Sequence, residues 1–482
     1  MATLYTARWV LPVTAPPIPD GGVLVSDDGR IEAVGPASRL PAGARTVDLG
    51  DALLMPGLVN VHAHPELAAF RGALEDLPFH RWIPALLALK ANAGLTTEDY
   101  DAAARWTCAE SVRAGVTTLA ATEDSGAALD ALRDAGMRGV VFREVFGPAP
   151  DQADAAVGQL RERVDVMRQR ETPLVRVGIS PHAPYSVSNA LYQRVAGLAR
   201  EEGLPLAAHV AESRAETELV RNGAGPLADG LAARGIATPP RAPSTIALLE
   251  RLGVLEARPL LIHAVQLDDQ DVVRIARHGC PVAHCPVANA RLGHGTAPVP
   301  ELLDAGVVVG LGTDSVAANN RLDLLEEARV AQLQQRSRQR SPAVLPAGTL
   351  LRMATLDGAR VLGLDARVGS LEPGKDADLC AVGLDGPHTI PAADPVATLF
   401  HAARGADVVL TVVRGRVLYR DGTFATLDVD GLRPRIEDAG RRITEAGRGL
   451  AQARPHAADP ARTDPTGFGG ARRTAAEGGV AP

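Results

Sequence analysis

His62 and His64 stand two residues apart in the run LVNVHAH, and an extended segment sends residues i and i+2 to the same face. Two imidazoles on one face are half of a metal site. The chain has twelve histidines, and four more of them close short apolar runs: His182 in ISPH, His209 in AAHV, His263 in LIH and His284 in PVAH. Asp314 closes another such run, GLGTD. A catalytic divalent ion such as Zn²⁺ takes three or four nitrogen and oxygen ligands, keeps a position for water, and lowers that water's pKa to about 7. His62, His64, His209 and Asp314 meet this requirement. Glu212 follows His209 by three residues in HVAES, so it can face the water from a strand-end loop without being a ligand, which is the position of a proton shuttle.

Such a set converges only if the runs that carry it lie side by side. Eight apolar β-type runs begin near Leu58, Val116, Gly139, Val175, Pro205, Leu260, Pro281 and Val307, and Ala/Leu/Arg-rich stretches of helical period separate them. This alternation predicts a TIM-type (β/α)8 barrel over residues 56–364, whose C-terminal rim collects strand-end residues into one site. The flanks differ in texture. Residues 1–55 and 365–428 read as short strands punctuated by turns such as Asp27-Asp28-Gly29-Arg30, and are expected to pair into one small, discontinuous β-sandwich domain. Leu432, Ile436, Ala439, Ile443, Ala446 and Leu450 predict an amphipathic helix over 429–454, although Gly440, Gly447 and Gly449 weaken it. Residues 455–482, rich in Ala, Gly, Pro and Arg, are expected to be disordered.

Composition narrows the partners. With 482 residues, 46% of them apolar, and a net charge of −7, the chain has the profile of a soluble globular protein. The absence of a basic run and the 3% aromatic content argue against nucleic acid and leave a small-molecule substrate. The four cysteines form no CxxC pair, no export signal opens the chain, and no apolar run spans a membrane, so the expected location is the cytoplasm. A homodimer is the assembly kept open. Cys280 and Cys285 flank the seventh strand, but the PCxxC and HxE pair of the small zinc deaminases is absent, so they read as buried thiols.

The segments PGLVNVHAH, HVAES, LIHAV and GLGTDS, in that order, resemble the metal-dependent amidohydrolase superfamily in its amino-hydrolyzing deaminase branch, over about residues 1 to 425. The resemblance implies one metal on His62, His64, His209 and Asp314, with Asp314 also in the catalytic set. It implies Glu212 as proton shuttle and His263 as the group that orients or deprotonates the water. Many superfamily members bridge two metals with a carboxylated lysine on a middle strand. This chain has only Lys90 and Lys375, outside that stretch, so a single divalent ion is expected, Zn²⁺ first and Fe²⁺ second. His182 in SPHAPYS stands where the branch places a substrate-binding histidine, and Trp82, Arg143, Glu144 and His294 stand where it builds its pocket.

Other segments, among them GVVFREVFGP and SPHAPYSVS, are similar to aminodeoxyfutalosine deaminases and to deaminases of S-adenosylhomocysteine or methylthioadenosine. The latter carry a ribose-binding Glu nine residues after the Trp matching Trp82, where this chain has Ala91. Their Pro-x-Ser-Asn after the seventh strand reads Pro286-Val287-Ala288-Asn289 here. The implied activity is deamination of an aminated purine nucleoside-like heterocycle by attack of a metal-bound hydroxide, with release of ammonia. The same site chemistry also suits an s-triazine or guanine-type aminohydrolase, a chlorohydrolase, or a cyclic amide hydrolase. A non-catalytic barrel scaffold is the remaining reading, opposed by the intact ligand set.

Overall fold

A computed structural model describes residues 1–452. Eight parallel strands, labelled β1 to β8 in chain order, form its centre: Leu58–Ala63, Val116–Glu123, Arg138–Val145, Val175–Pro181, Ala207–Val210, Leu260–His263, Val282–His284 and Val309–Leu311. All begin within two residues of the positions expected from the apolar runs. Their residues are almost all buried, as continuous apolar runs must be when helices cover one face and the barrel interior the other.

β1 to β4 pair in order, and so do β5 to β8. A bridge between Ile179 and Leu206 joins the two halves on one side. On the other side the N–H groups of Thr313 and Asp314 both donate to the His62 carbonyl at 3.0 Å, which closes the barrel and ties Asp314 to His62. Close approach at this seam requires Gly310, because a Cβ there would lie 2.9 Å from a methyl carbon of Val61.

The chain ends build a second layer. Strands Thr3–Val10, Ile18–Val25, Ile31–Pro36, Arg45–Asp48 and Ala52–Pro56 share one nine-stranded sheet with Leu379–Gly383, Val408–Val413, Arg416–Arg420 and Thr423–Phe424. The halves meet where Ala52–Pro56 runs antiparallel to Leu379–Gly383. Alternation along Ala52–Pro56 sends Leu54 into the small-domain core with Val23 and Leu410, and Leu53 and Met55 toward the barrel. A buried ion network also joins the two bodies. Arg138 at the start of β3 is 1% exposed, and it donates to Asp376 at 2.8 Å and to both carboxylate oxygens of Asp378 at 2.8 and 3.1 Å.

A helix over Val429–Gln452 returns to the barrel, burying Ala439 and Ile443 and pairing Arg435 and Arg442 with Asp99. The disordered tail expected over 455–482 lies outside the described residues. Among the described residues no helix is long and apolar enough to cross a membrane.

Candidate active site

The C-terminal ends of the strands open into a cavity of about 680 Å³, within the range of small-molecule sites. His64, His182, His209, Glu212, His263 and Asp314 all reach its wall, and His62 lies just beneath at 0% exposure. His62 is the next-to-last residue of β1, His209 of β5, and His263 the last of β6. His64, Glu212 and Asp314 sit in the turns that follow. Several of these turns adopt left-handed backbone, with φ of 50° at Ala211, 73° at His263, 48° at Ala264 and 58° at Asp314. Side-chain-bearing residues take this conformation at a cost, and such outliers collect where a site must aim its groups.

The ligand atoms of His62, His64 and His209 lie within 4.8 Å of one another, as do those of His62, His263 and Asp314. The two groups share His62, and a third, Glu144, His182 and His209, adjoins them through His209. The ring hydrogen bonds show which nitrogens remain available to an ion. His209 Nδ1 is 3.2 Å from the His182 carbonyl, which can only accept, so Nδ1 carries the proton and Nε2 its lone pair. His62 Nδ1 is 3.2 Å from the Thr122 hydroxyl and His263 Nδ1 3.0 Å from Asn289 Oδ1. His62 Nε2 is buried without a partner, 3.5 Å from Asp314 Oδ1, and His64 Nε2 is 3.7 Å from the same oxygen.

Burial, with the neighbouring imidazoles, holds His62 and His64 well below the usual histidine range and His209 down to about 4. Neutral rings with outward lone pairs, one carboxylate and an orphaned buried nitrogen form a donor set for a divalent ion.

Glu212 is 4% exposed, with Oε1 3.1 Å from His294 Nε2 and 3.6 Å from His263 Nε2. Burial would raise its carboxyl, but His263 and His294 outweigh this and hold it far below the usual carboxylate range. It is therefore ionised at neutral pH, with Oε1 held between the two imidazoles.

The expected substrate contacts divide. Trp82 lines the cavity, its ring stacked at 13° on Phe79. His182 lines it too, with Nδ1 2.7 Å from Ser186 Oγ, whose hydroxyl donates to the Ala183 carbonyl, so His182 Nε2 presents a lone pair to the cavity. Glu144 also faces in, its buried Oε1 unpartnered and 3.9 Å from both His182 Nε2 and His209 Nδ1.

Arg143 does not. Adjacent strand residues point to opposite faces, so Arg143 turns away from the cavity toward Glu123, 3.6 Å distant. His294 is not on the cavity wall either, and it meets the site through Glu212. His284, although it closes β7, is 0% exposed with both ring nitrogens unpartnered, and burial pushes it down to about 3.

Ala91 is exposed, whereas its neighbour Lys90, on the same helix Phe79–Asn92 as Phe79 and Trp82, lines the cavity. Lys90 Nζ bonds both oxygens of Asp124 at 3.0 and 3.1 Å. Ala288 is buried, and its missing hydroxyl leaves Asn289 on His263 undisturbed.

Sequence reasoning also missed Glu66, whose Oε2 is buried and unpartnered, and Phe79. Both had a weak signal: Glu66 follows His64 by two residues, and Phe79 precedes Trp82 by one helical turn.

Residues 53–418 match the amidohydrolase family. The 5-methylthioadenosine/S-adenosylhomocysteine deaminase of Syntrophobacter fumaroxidans is 36% identical over 431 residues, covering 88% of this chain and 94% of that protein. Among solved structures, an adenosine deaminase from Xanthomonas campestris with bound zinc superimposes with a TM-score of 0.81 at 31% identity, over 92% of this chain and 98% of that one. The zinc complex of atrazine chlorohydrolase from Arthrobacter aurescens gives 0.78 at 26% identity, over 91% and 100%.

Proposed function

Since this chain belongs to the amidohydrolase family, we propose that it is a mononuclear metal-dependent deaminase of an aminated purine nucleoside-like heterocycle. The observation that carries the reading is the placement of Glu212: an ionised, buried carboxylate bonded to His294, beside His263, at the edge of the neutral histidine cluster. His62, His64, His209 and Asp314 would hold the ion, zinc being favoured by the zinc-bound neighbours. When bound, a divalent ion lowers the pKa of its water to about 7.

The chain's own residues do the rest. Glu212 accepts a proton from the attacking water and delivers it to the ring nitrogen next to the amino-bearing carbon. His263 Nε2, fixed through its bond to Asn289, orients the water. As the new C–O bond forms, the C–N bond breaks and the amino group leaves as ammonia with the water's second proton.

The cavity wall supports a nucleoside-like substrate. Phe79 and Trp82 offer flat apolar surface to a ring system. Glu66 Oε2, Glu144 Oε1 and Trp82 Nε1 are buried, unpartnered hydrogen-bonding atoms on residues of the same wall. Two cations, Lys90 and Arg234, share that wall with five carboxylates, and burial raises Glu66 and Glu144 well above the usual carboxylate range, which suits these two to hydroxyl-bearing substituents.

The test is a panel of aminopurine nucleosides, free bases and s-triazines assayed for released ammonia and chloride, with metal analysis of the same preparation. Ammonia from an aminopurine nucleoside at about one metal per chain is the expected result. Chloride release alone, or two tightly bound ions per chain, would overturn it.

A further inference from the structure

Glu216 is completely buried at 0% exposure and is not on the cavity wall, yet its carboxylate is the anchor of the loop that presents Glu212. It lies in the first turn of the helix Arg214–Asn222, whose N-cap Ser213 accepts from its N–H at 3.2 Å. Ser213-x-x-Glu216 has the spacing of a capping box, in which the Glu side chain would turn back to the N–H of Ser213. Here it reaches further. Oε1 accepts from Ala211 N–H at 2.6 Å, and Oε2 accepts from Glu212 N–H at 3.1 Å. The Thr245 hydroxyl, from the start of the helix Thr245–Arg251, donates to Oε1 at 2.6 Å.

Those two amides flank the left-handed turn at Ala211, where φ is 50°. One rigid planar group bridging both fixes the direction in which the Glu212 side chain leaves the backbone. The other side of the turn is held as well. The Ala211 carbonyl accepts from Val265 N–H at 2.9 Å and Gln266 N–H at 2.7 Å, and the Gln266 side chain bonds the His294 carbonyl at 2.5 Å. The circuit closes through His294 Nε2 on Glu212 Oε1. Without Glu216, two buried amides lose their acceptor and the strained turn loses its brace.

Resting on the deaminase reading above, we infer that Glu216 is a positioning residue for catalysis, which holds the Glu212 carboxylate in proton-transfer geometry without touching substrate or metal. A displacement of about 1 Å in a reacting group costs on the order of 10²-fold in rate. Glu216→Gln keeps the volume but sets an N–H₂ group against the amide hydrogens. It should lower kcat roughly 10- to 100-fold with KM within about threefold and metal content unchanged.

The discriminating step repeats Glu216→Gln in a Glu212→Asp background, where the acid is already displaced. There it should cost less than about threefold more, because both changes act on one geometry. An equal loss in both backgrounds, a wild-type kcat, or loss of metal would overturn the assignment. Should Glu216→Gln fail to fold, Thr245→Val, which removes one donor to the carboxylate, takes its place with the same criteria.

Amide hydrogen exchange across residues 209–213 supplies an arm that needs no substrate. Faster exchange confined to that segment in the variant supports the clamp, and unchanged exchange refutes it. If the wild-type protein deaminates nothing, the deaminase reading falls, and this measurement alone decides the clamp.

Discussion

Replacing Glu212 by Gln tests the proposed chemistry at its narrowest point. Glutamine has nearly the same volume, so the 4% exposed site need not repack, and its remaining carbonyl oxygen can still accept from His294 Nε2, 3.1 Å away. Glu212 is assigned no place among the metal ligands, so metal content should stay near one per chain. What disappears is the group that takes a proton from water and returns it to the ring. One positioned acid or base contributes about 10²- to 10⁴-fold, roughly 3 to 5 kcal/mol of barrier, and a residue serving both transfers belongs at the upper end. The carboxylate also faces His263 Nε2 at 3.6 Å. Any positive charge that gathers on that imidazole during reaction loses a partner worth up to about 5 kcal/mol at an effective dielectric constant of about 20. A kcat loss of about 10³-fold or more is therefore expected, measured as ammonia release under saturating substrate with metal analysis on the same sample. His209→Ala is the control, because removing a ligand nitrogen should remove the metal itself. If Glu212→Gln keeps more than about a tenth of wild-type turnover, below even a single general-base contribution, or loses its metal, the shuttle reasoning is wrong.

Asn289→Ala frees the His263 ring from its 3.0 Å bond and should cost about 10- to 100-fold in activity, and a kcat within twofold of wild type would refute the orienting role. His284 gives a stability test. Its folded-state pKa is pushed down to about 3, so the unfolded chain binds the proton first, and stability is lost as pH falls from about 6.5 toward 3. In His284→Met the loss between pH 7 and pH 4.5, followed by denaturant titration, should shrink by about 2 to 3 kcal/mol, and identical pH slopes would contradict it. Arg138→Met leaves Asp378 buried without its cation, while Asp376 keeps Arg367 at 2.7 Å, and should destabilise the protein by about 3 kcal/mol in equilibrium unfolding; a change under about 1 kcal/mol would show that the network does not couple the barrel to the small domain.

The histidine and aspartate positions were readable because they depend on local rules. An apolar run of strand length ends where the barrel rim must be, and period-two geometry sends His62 and His64 to one side without any knowledge of what lies across from them. The eight runs, the single carboxylate at Asp314 and the want of a lysine between Lys90 and Lys375 likewise belong to the chain itself. The resemblance put both Arg143 and Glu144 in the pocket, but neighbours on a strand face opposite ways, and the phase of β3 sends Glu144 into the cavity and Arg143 to Glu123. On the helix Phe79–Asn92 the same kind of one-residue question separates exposed Ala91 from Lys90 in the wall.

The remaining features have no local signature. His294 meets Glu212 across 82 positions, Thr245 meets Glu216 across 29, and Arg138 meets Asp378 across 240. Left-handed backbone at Ala211 and Ala264 runs against the preference of alanine, and it exists because bonds from distant segments hold it. The sequence by itself therefore determined which groups could perform the chemistry and on which strands they stand. Only the tertiary structure decided where they point, because direction at a strand end is set by whatever the rest of the chain packs and hydrogen-bonds against it.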